Sequence, residues 1–334
     1  MVNGPEACRR LTGALLGQAL GDAVGFVVEG LPTDTAAAYV RDCLERGRAG
    51  ERAHPKYPFG QYTDDTQLAR ELLLSVRDSG RWRPENFARR VADLFRRGLD
   101  VGAGPGTRAA AGRLARGMDW HESGTPPPYA GNGSAMRAAP LGLVFQGAPD
   151  TLRAAARQQS LVTHLDPRCA GGAVAIAGAA ALAVAPGRLD RPAFIHALEH
   201  WVREEDASVA DALARLEEWA DLPPEAAARR LHDLELDPSG GGYHFGLSPF
   251  VTSTVVWALY AFLHSPDDYW TTICTAIRIG GDTDTLAAMA GAISGARLGV
   301  DALPRSLVHR LTDQGTWGAA QLAALAADCV PLCR

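Results

Sequence analysis

A chain of 334 residues, 47% of them hydrophobic, can bury a substantial core as one large domain or two ordinary ones. A net charge of −5 and a pI near 6.0 exclude a protein that holds nucleic acid or anionic lipid through a broad basic face. The six cysteines (Cys8, Cys43, Cys169, Cys274, Cys329, Cys333) stand far apart, form no C-x-x-C and fall mostly in apolar helical patterns, so they read as buried free thiols.

Helical periodicity begins over 10–25, and no convincing signal-peptide cleavage pattern accompanies it, so a cytoplasmic chain is expected. A loop follows over 31–62, with a basic tendency from Arg46, Arg48, Arg52 and Lys56 that reads as solvated surface. Helices are predicted over 66–76, 84–97 and 108–118, Ser79-Gly80 ending one and Arg83-Pro84-Glu85 opening the next. After a second loop, 120–134, the pattern predicts helices over 135–144, 151–160 and 168–184. The uncharged run 169–186 is long enough to raise a membrane span, but it is mainly Ala and Gly with no aromatic belt. It reads instead as a core helix that its neighbours approach closely. Helices over 192–204, 208–220, 224–233, 250–264, 270–279, 283–298 and 318–327 complete the series, interrupted by a third loop over 236–248.

Strand-like alternation is almost absent, and neither an internal repeat nor a long linker divides the chain. The expectation is an all-α protein, a compact orthogonal multi-helix bundle forming a single domain over 1–334, with no membrane partner, and a monomer. Binding residues in such a scaffold belong on its long loops.

Two helix starts are richer in acid than capping requires. Thr63-Asp64-Asp65-Thr66 stands before an apolar helix and, taken alone, reads as an N-cap. Gly280-Gly281-Asp282-Thr283-Asp284-Thr285 precedes another, of small residues. A cap uses one carboxylate or hydroxyl, and adjacent acids add repulsion that a helix dipole offsets only in part. A divalent cation between the two clusters would remove it. Oxygen ligands alone, from the aspartates and from the hydroxyls of Thr63 and Thr285, suit Mg²⁺ or Mn²⁺, and no Cys/His set at zinc spacing accompanies them. Four aspartates allow two ions about 3.5–4 Å apart. Glu29 is a further acid, open to a solvent-exposed reading, and Asp22, near the end of the first helix, is expected to make structural hydrogen bonds.

In chain order, GALLGQALGDAVGFVVEG (13–30), YTDDTQLA (62–69), GNGSAMRAAPLG (131–142), THLDP (163–167) and GGDTDTLAAMAGAISGARLG (280–299) resemble the ADP-ribosylglycohydrolase family. The resemblance spans nearly the whole chain and implies an all-α fold with a binuclear magnesium or manganese centre. By position it implies metal ligation by Thr63, Asp64, Asp65, Asp282, Asp284 and Thr285, with Glu29 on a mobile segment as an extra acid. It places Gly131, Asn132, Gly133, Ser134 and Met136 against the ribose and diphosphate of ADP-ribose. Backbone N–H groups of a glycine loop opening a helix can receive a diphosphate, although a plain turn has the same sequence. His164 matches a histidine lining the ligand pocket, in a binding role rather than proton transfer. Tyr243 is the first choice and Phe245 the second for an aromatic face against adenine, and core packing explains either ring equally well.

The implied reaction is hydrolysis of the bond between ADP-ribose and its acceptor through an oxocarbenium-like state, with ADP-ribose as product. Asp65, Asp284 and Glu29 are the candidate catalytic acids, Asp65 a candidate base, with the choice among them open. The acceptor, an arginine or serine side chain, a nucleic-acid end or a small conjugate, is also open. Two rivals are weighed. An all-α isoprenoid synthase carries its acids as D-D-x-x-D within helices, which Asp64-Asp65-Thr66-Gln67-Leu68 does not match. A non-enzymatic relative that binds ADP-ribose or serves as a structural protein would be expected to lose metal ligands, and this chain keeps every one.

Overall fold

The computed structural model describes residues 4–234 and 245–333. The first half contains α1 (Gly4–Gly25), α2 (Thr33–Tyr39), α3 (Asp64–Ser79), α4 (Pro84–Arg96), α5 (Pro105–Ala115), α6 (Ala139–Val144), α7 (Pro149–Leu161) and α8 (Pro167–Ala183). The second contains α9 (Arg191–Arg203), α10 (Ala207–Ala214), α11 (Leu216–Trp219), α12 (Pro224–Asp233), α13 (Val251–His264), α14 (Tyr269–Arg278), α15 (Thr283–Leu298), α16 (Arg305–Val308) and α17 (Ala319–Cys329). Among the described residues extended segments meet only in isolated bridges, so the protein is all-α.

The helix pair that positions the site is α1 against α15. Gly13, Gly17, Gly21 and Gly25 recur every four residues on α1 and meet Gly295, Gly291, Ala287 and Thr283 of α15 in reverse order. The two helices are therefore antiparallel and in backbone contact. A Cβ placed on Gly17 would stand 2.5 Å from the Gly291 carbonyl oxygen, and one on Gly21 only 2.1 Å from that of Ala287. This seam brings the last turn of α1, with Asp22, beside the first turn of α15, with Asp282 and Asp284. Thr283 ties the ends together by donating from Oγ1 to the Gly25 carbonyl at 2.8 Å.

Small residues also let α8 into the core. It is buried along almost its whole length, and a Cβ on Gly142 of α6 would lie 2.0 Å from the α8 carbonyl of Ala177. Among the described residues one helix is long and apolar enough to cross a membrane, and it is Gly4–Val28 rather than the 169–186 run. Its apolar window is 94% buried within the fold. All six cysteines are free, with Cys8 and Cys333 only half-buried rather than in the interior.

Several boundaries differ from expectation. The first helix begins at Gly4, six residues early, and α5 begins at Pro105 because proline suits the first helical position. The 31–62 loop contains α2, which continues as a wider π turn over Val40–Leu44. The helix expected over 208–220 is broken at Arg215 into α10 and α11, the first burying Leu213 and the second Leu216 and Trp219. The segment 135–138 is not helical, 135–137 forming a turn, so α6 starts only at Ala139.

Candidate functional site

The site is built where α1 ends and α3 and α15 begin. The start of α3 is capped twice without help from its own acids. Thr63 is the N-cap, its hydroxyl accepting from the Asp65 N–H at 3.4 Å. Asp22 reaches across from α1 and accepts from the Thr63 N–H (2.9 Å), the Thr66 N–H (3.2 Å) and the Thr66 hydroxyl (2.6 Å). Asp64 and Asp65, in the first turn of α3, are thereby released from capping.

The second acid cluster is set by three extended segments. Gly30 donates to the Gly281 carbonyl at 2.8 Å, Gly281 to that of Leu31 at 3.0 Å, and Asp282 to that of Leu247 at 2.9 Å. Gly281 has φ +78°, and a Cβ on it would lie 2.1 Å from the Leu247 carbonyl oxygen, so this crossing requires glycine. It sets Glu29 beside Asp282. Asn132 fixes Asp282 by donating from Nδ2 to Oδ2 at 2.5 Å. Thr285 joins the two clusters, its hydroxyl donating to Asp65 Oδ1 at 3.3 Å.

What these bonds leave over decides what the site can hold. Asp65 Oδ2 and Asp284 Oδ1 are buried without any hydrogen-bond partner. Carboxylate oxygens of Asp22, Asp65 and Asp284 lie within 4.8 Å of one another, and so do those of Glu29, Asp282 and Asp284. Asp284 belongs to both groups, so two adjacent cation positions sharing it would fit. Among the described residues none of these acids, nor Asp64, is ion-paired. Burial, with the charges of neighbouring acids, pushes Asp64, Asp65 and Asp284 well above the usual carboxylate range. Burial also raises Asp282, and together with the Asp282 charge it pushes Glu29 up to about 7. Asp22 is pushed up to about 7 by burial, against the pull of its hydrogen bonds. Interior anionic oxygens without partners are costly, and an all-oxygen set of this kind matches the ligand preference of a hard divalent cation.

These acids form one wall of a cleft. Asp64, Asp65, Asp282, Asp284, Thr285 and Glu29 line it together with Gly131, Asn132, Gly133, Met136 and His164. His164 is buried, stacks on Tyr129 with ring centroids 5.8 Å apart, and has its imidazole pKa pushed down to about 3 by burial and by the Arg137 charge. Gly133 is where it is because a Cβ there would stand 2.8 Å from His164 Cε1 and 2.9 Å from Thr107 Oγ1.

Not every expected residue is seen in the cleft. Ser134 does not line the cleft: its hydroxyl donates to the Cys169 carbonyl at 3.1 Å and accepts from Ser160, because the 3-10 turn Asn132–Ser134 rotates it towards α7 and α8. Thr63 is the N-cap of α3, its hydroxyl accepting from the N–H of Asp65. Tyr243 lies outside the described residues, and Phe245 is 73% exposed. Conversely, Tyr129, Gly102 and the start of α5 at Gly104, Pro105 and Thr107 line the cleft and were not expected to. The Tyr129 hydroxyl accepts from the Gly106 N–H at 3.2 Å, which fastens α5 to the glycine loop. Its place two residues before Gly131 was the available sequence signal.

The sequence matches the profile of the ADP-ribosylglycohydrolase family over residues 3–334. The chain belongs to this family. It is similar to an uncharacterized protein of Archaeoglobus fulgidus, 30% identical over 286 residues that cover 85% of this chain and 86% of the archaeal protein. It is also similar to human ADP-ribosylhydrolase ARH3, 30% identical over 332 residues that cover 89% of this chain and 87% of the human one. The ADP-ribosyl-[dinitrogen reductase] glycohydrolase of Rhodospirillum rubrum is 27% identical, with 93% and 92% covered. A solved structure of an ADP-ribosylglycohydrolase-related protein complex superposes with a TM-score of 0.73 at 27% identity, covering 99% of this chain and all of that one. As a member of this family the protein is a glycosyl hydrolase acting on ADP-ribosyl groups.

Proposed function

We propose that this ADP-ribosylglycohydrolase releases ADP-ribose from an N- or O-linked acceptor, an arginine or serine side chain or a related conjugate, using two divalent ions, Mg²⁺ or Mn²⁺. The observation that carries the reading is the pair of buried, unpartnered oxygens on Asp65 and Asp284, one from each acid cluster, opening on the same cleft as the Gly131–Gly133 loop. The names of the human and Rhodospirillum relatives support the reaction class.

Thr63, Asp64, Asp65, Asp282, Asp284 and Thr285 would hold the ions. Bound there, divalent ions supply positive charge that orients ribose hydroxyls and acidifies a water. The residues themselves do the rest. Thr285 and Asn132 fix the Asp65 and Asp282 carboxylates, so neither swings when substrate enters. Asp65, the candidate base, would take the proton of the attacking water through a carboxylate lone pair that the ion does not engage, as the water oxygen bonds to the anomeric carbon and the bond to the acceptor breaks. The acceptor leaves with a proton, and Glu29, which lines the same cleft, is the acid assigned to assist it. The turn at Gly131–Gly133 and Met136 face the rest of the ADP-ribosyl group.

The test is a panel of ADP-ribosylated arginine and serine peptides, assayed for free ADP-ribose with Mg²⁺, with Mn²⁺ and with a chelator. Release from at least one substrate, lost on chelation, is expected. Undiminished release in chelator would refute the metal dependence, and no release from any substrate would refute the hydrolysis.

A further inference from the structure

Arg137 does not line the cleft; it is 0% exposed and among the largest fully buried side chains. Its Nε donates to Gln159 Oε1 (2.7 Å), and its Nη2 donates to the Gln159 carbonyl (2.8 Å) and to Thr163 Oγ1 (2.8 Å). The guanidinium lies over the Phe87 ring, 5.1 Å from its centroid. Nη1 is buried with no partner, and among the described residues no carboxylate is ion-paired with the side chain. An unpaired interior charge is expensive, which directs attention to the neutral group it touches.

That group is the Thr163 hydroxyl, fully buried between Arg137 Nη2 and His164 Nδ1, each 2.8 Å away. Guanidinium nitrogens only donate, so the hydroxyl oxygen accepts from Arg137. The hydroxyl has one proton, and Nδ1 is the one acceptor it reaches among the described residues. Were Nδ1 protonated instead, that hydroxyl proton would be buried with no acceptor, a state native interiors avoid. Nδ1 therefore accepts, and the neutral ring carries its proton on Nε2. Nε2 makes no hydrogen bond within the described residues. It lies at the cleft wall, where a Cβ on Gly131 would stand 3.3 Å away.

We propose that Arg137 is a positioning residue which, through Thr163, fixes His164 as the Nε2–H tautomer and so presents a hydrogen-bond donor to an oxygen of the ligand in the cleft. The identity of that ligand as an ADP-ribosyl group, through a ribose or phosphate oxygen, rests on the function proposed above. The relay itself does not. Other groups around the ring leave it intact: Tyr129 stacks on one face, and Asp166, whose charge would favour an imidazolium, is occupied by Arg168 at 2.7 Å.

The test is the ¹⁵N–¹H correlation spectrum of the histidines in the full chain, with His164 assigned by its loss in His164→Asn. Wild type should show a protonated Nε2 and an unprotonated Nδ1, unchanged from pH 5.5 to 8.5. Thr163→Val should mix the tautomers and weaken ADP-ribose binding about tenfold, near 1.4 kcal/mol, while Thr163→Ser retains both properties. Arg137→Met should mix the tautomers too. If it folds and keeps the wild-type pattern, the role of Arg137 is refuted, and Thr163→Val carries the test if it does not fold. A wild-type ring protonated on Nδ1, an imidazolium, or equal ADP-ribose affinity in the Val and Ser variants would overturn the proposal. Failure of hydrolysis on every conjugate would instead sink the functional reading and leave the spectrum to judge the relay.

Discussion

Gly21→Ala sets helix propensity against helix packing, and the two predict opposite signs. Alanine in a helix interior is favoured over glycine by about 1 kcal/mol, so propensity alone predicts a more stable protein. The new Cβ, however, would stand 2.1 Å from the Ala287 carbonyl oxygen and 2.6 Å from its carbon, where ordinary contact begins at 3.4 Å. The shortfall of 1.3 Å against backbone cannot be absorbed by a rotamer, so α1 and α15 must separate. Overpacking costs about 1–3 kcal/mol and sometimes more, and a clash this close against backbone belongs at the upper end, which leaves a net loss of about 2 kcal/mol. Separation also moves Asp22 away from Asp284, so stabilisation by added Mg²⁺ should shrink in the same variant. Urea unfolding with and without Mg²⁺ measures both, and Gly4→Ala, with nothing within 4 Å of the new atom, is the control. A Gly21→Ala protein as stable as wild type, with an unchanged response to Mg²⁺, would refute the seam as the device that aligns the two acid clusters.

Asp22→Ala strands the Thr63 and Thr66 N–H groups and should cost about 2–4 kcal/mol in unfolding experiments, with a loss under about 0.5 kcal/mol counting against the cap. Asp284→Asn should lower ADP-ribose release about 100-fold or more while making the metal-free protein at pH 8 no less stable, since it removes a buried charge without a partner. A destabilised metal-free variant would contradict that account. The raised carboxyls make the folded state bind more protons than the unfolded one, whose aspartates and glutamates titrate near about 4. The contribution of these acids to metal-free stability should therefore be greatest below about pH 4 and be lost as pH rises through about 7, where Asp22 and Glu29 ionise, and the shift in midpoint on adding Mg²⁺ should grow over the same interval. A Mg²⁺ shift that is flat or declines from pH 5.5 to 8 would be the contrary result. Gly133→Ala should weaken ADP-ribose binding about tenfold in calorimetry, because His164 and Thr107 must both retreat.

The helical class was legible because apolar spacing repeats through the chain, and the 283–298 helix was read to the residue. The helix at 33–44 was overlooked although Ala36, Tyr39, Val40, Cys43 and Leu44 follow helical spacing, since Thr33-Asp34-Thr35 at its start resembles loop. The acids stood out because each cluster exceeds what one cap can use, and at α3 the fold shows why: Asp22 and Thr63 already do the capping. That division of labour joins residues 41 or more positions apart and has no local signature. The same holds for the glycine seam, whose four-residue spacing is visible on α1 while its partner helix is not. Ser134 was misplaced because a glycine loop reveals its flexibility but not which of its side chains a 3-10 turn will face inward.

The central claim is that cations sit between the two acid clusters. Anomalous diffraction from crystals grown with Mn²⁺ tests it most directly. A peak within about 2–2.5 Å of carboxylate oxygens of both Asp65 and Asp284 is predicted, with a second peak sharing Asp284. Saturating Mn²⁺ with no peak among these carboxylates would contradict it.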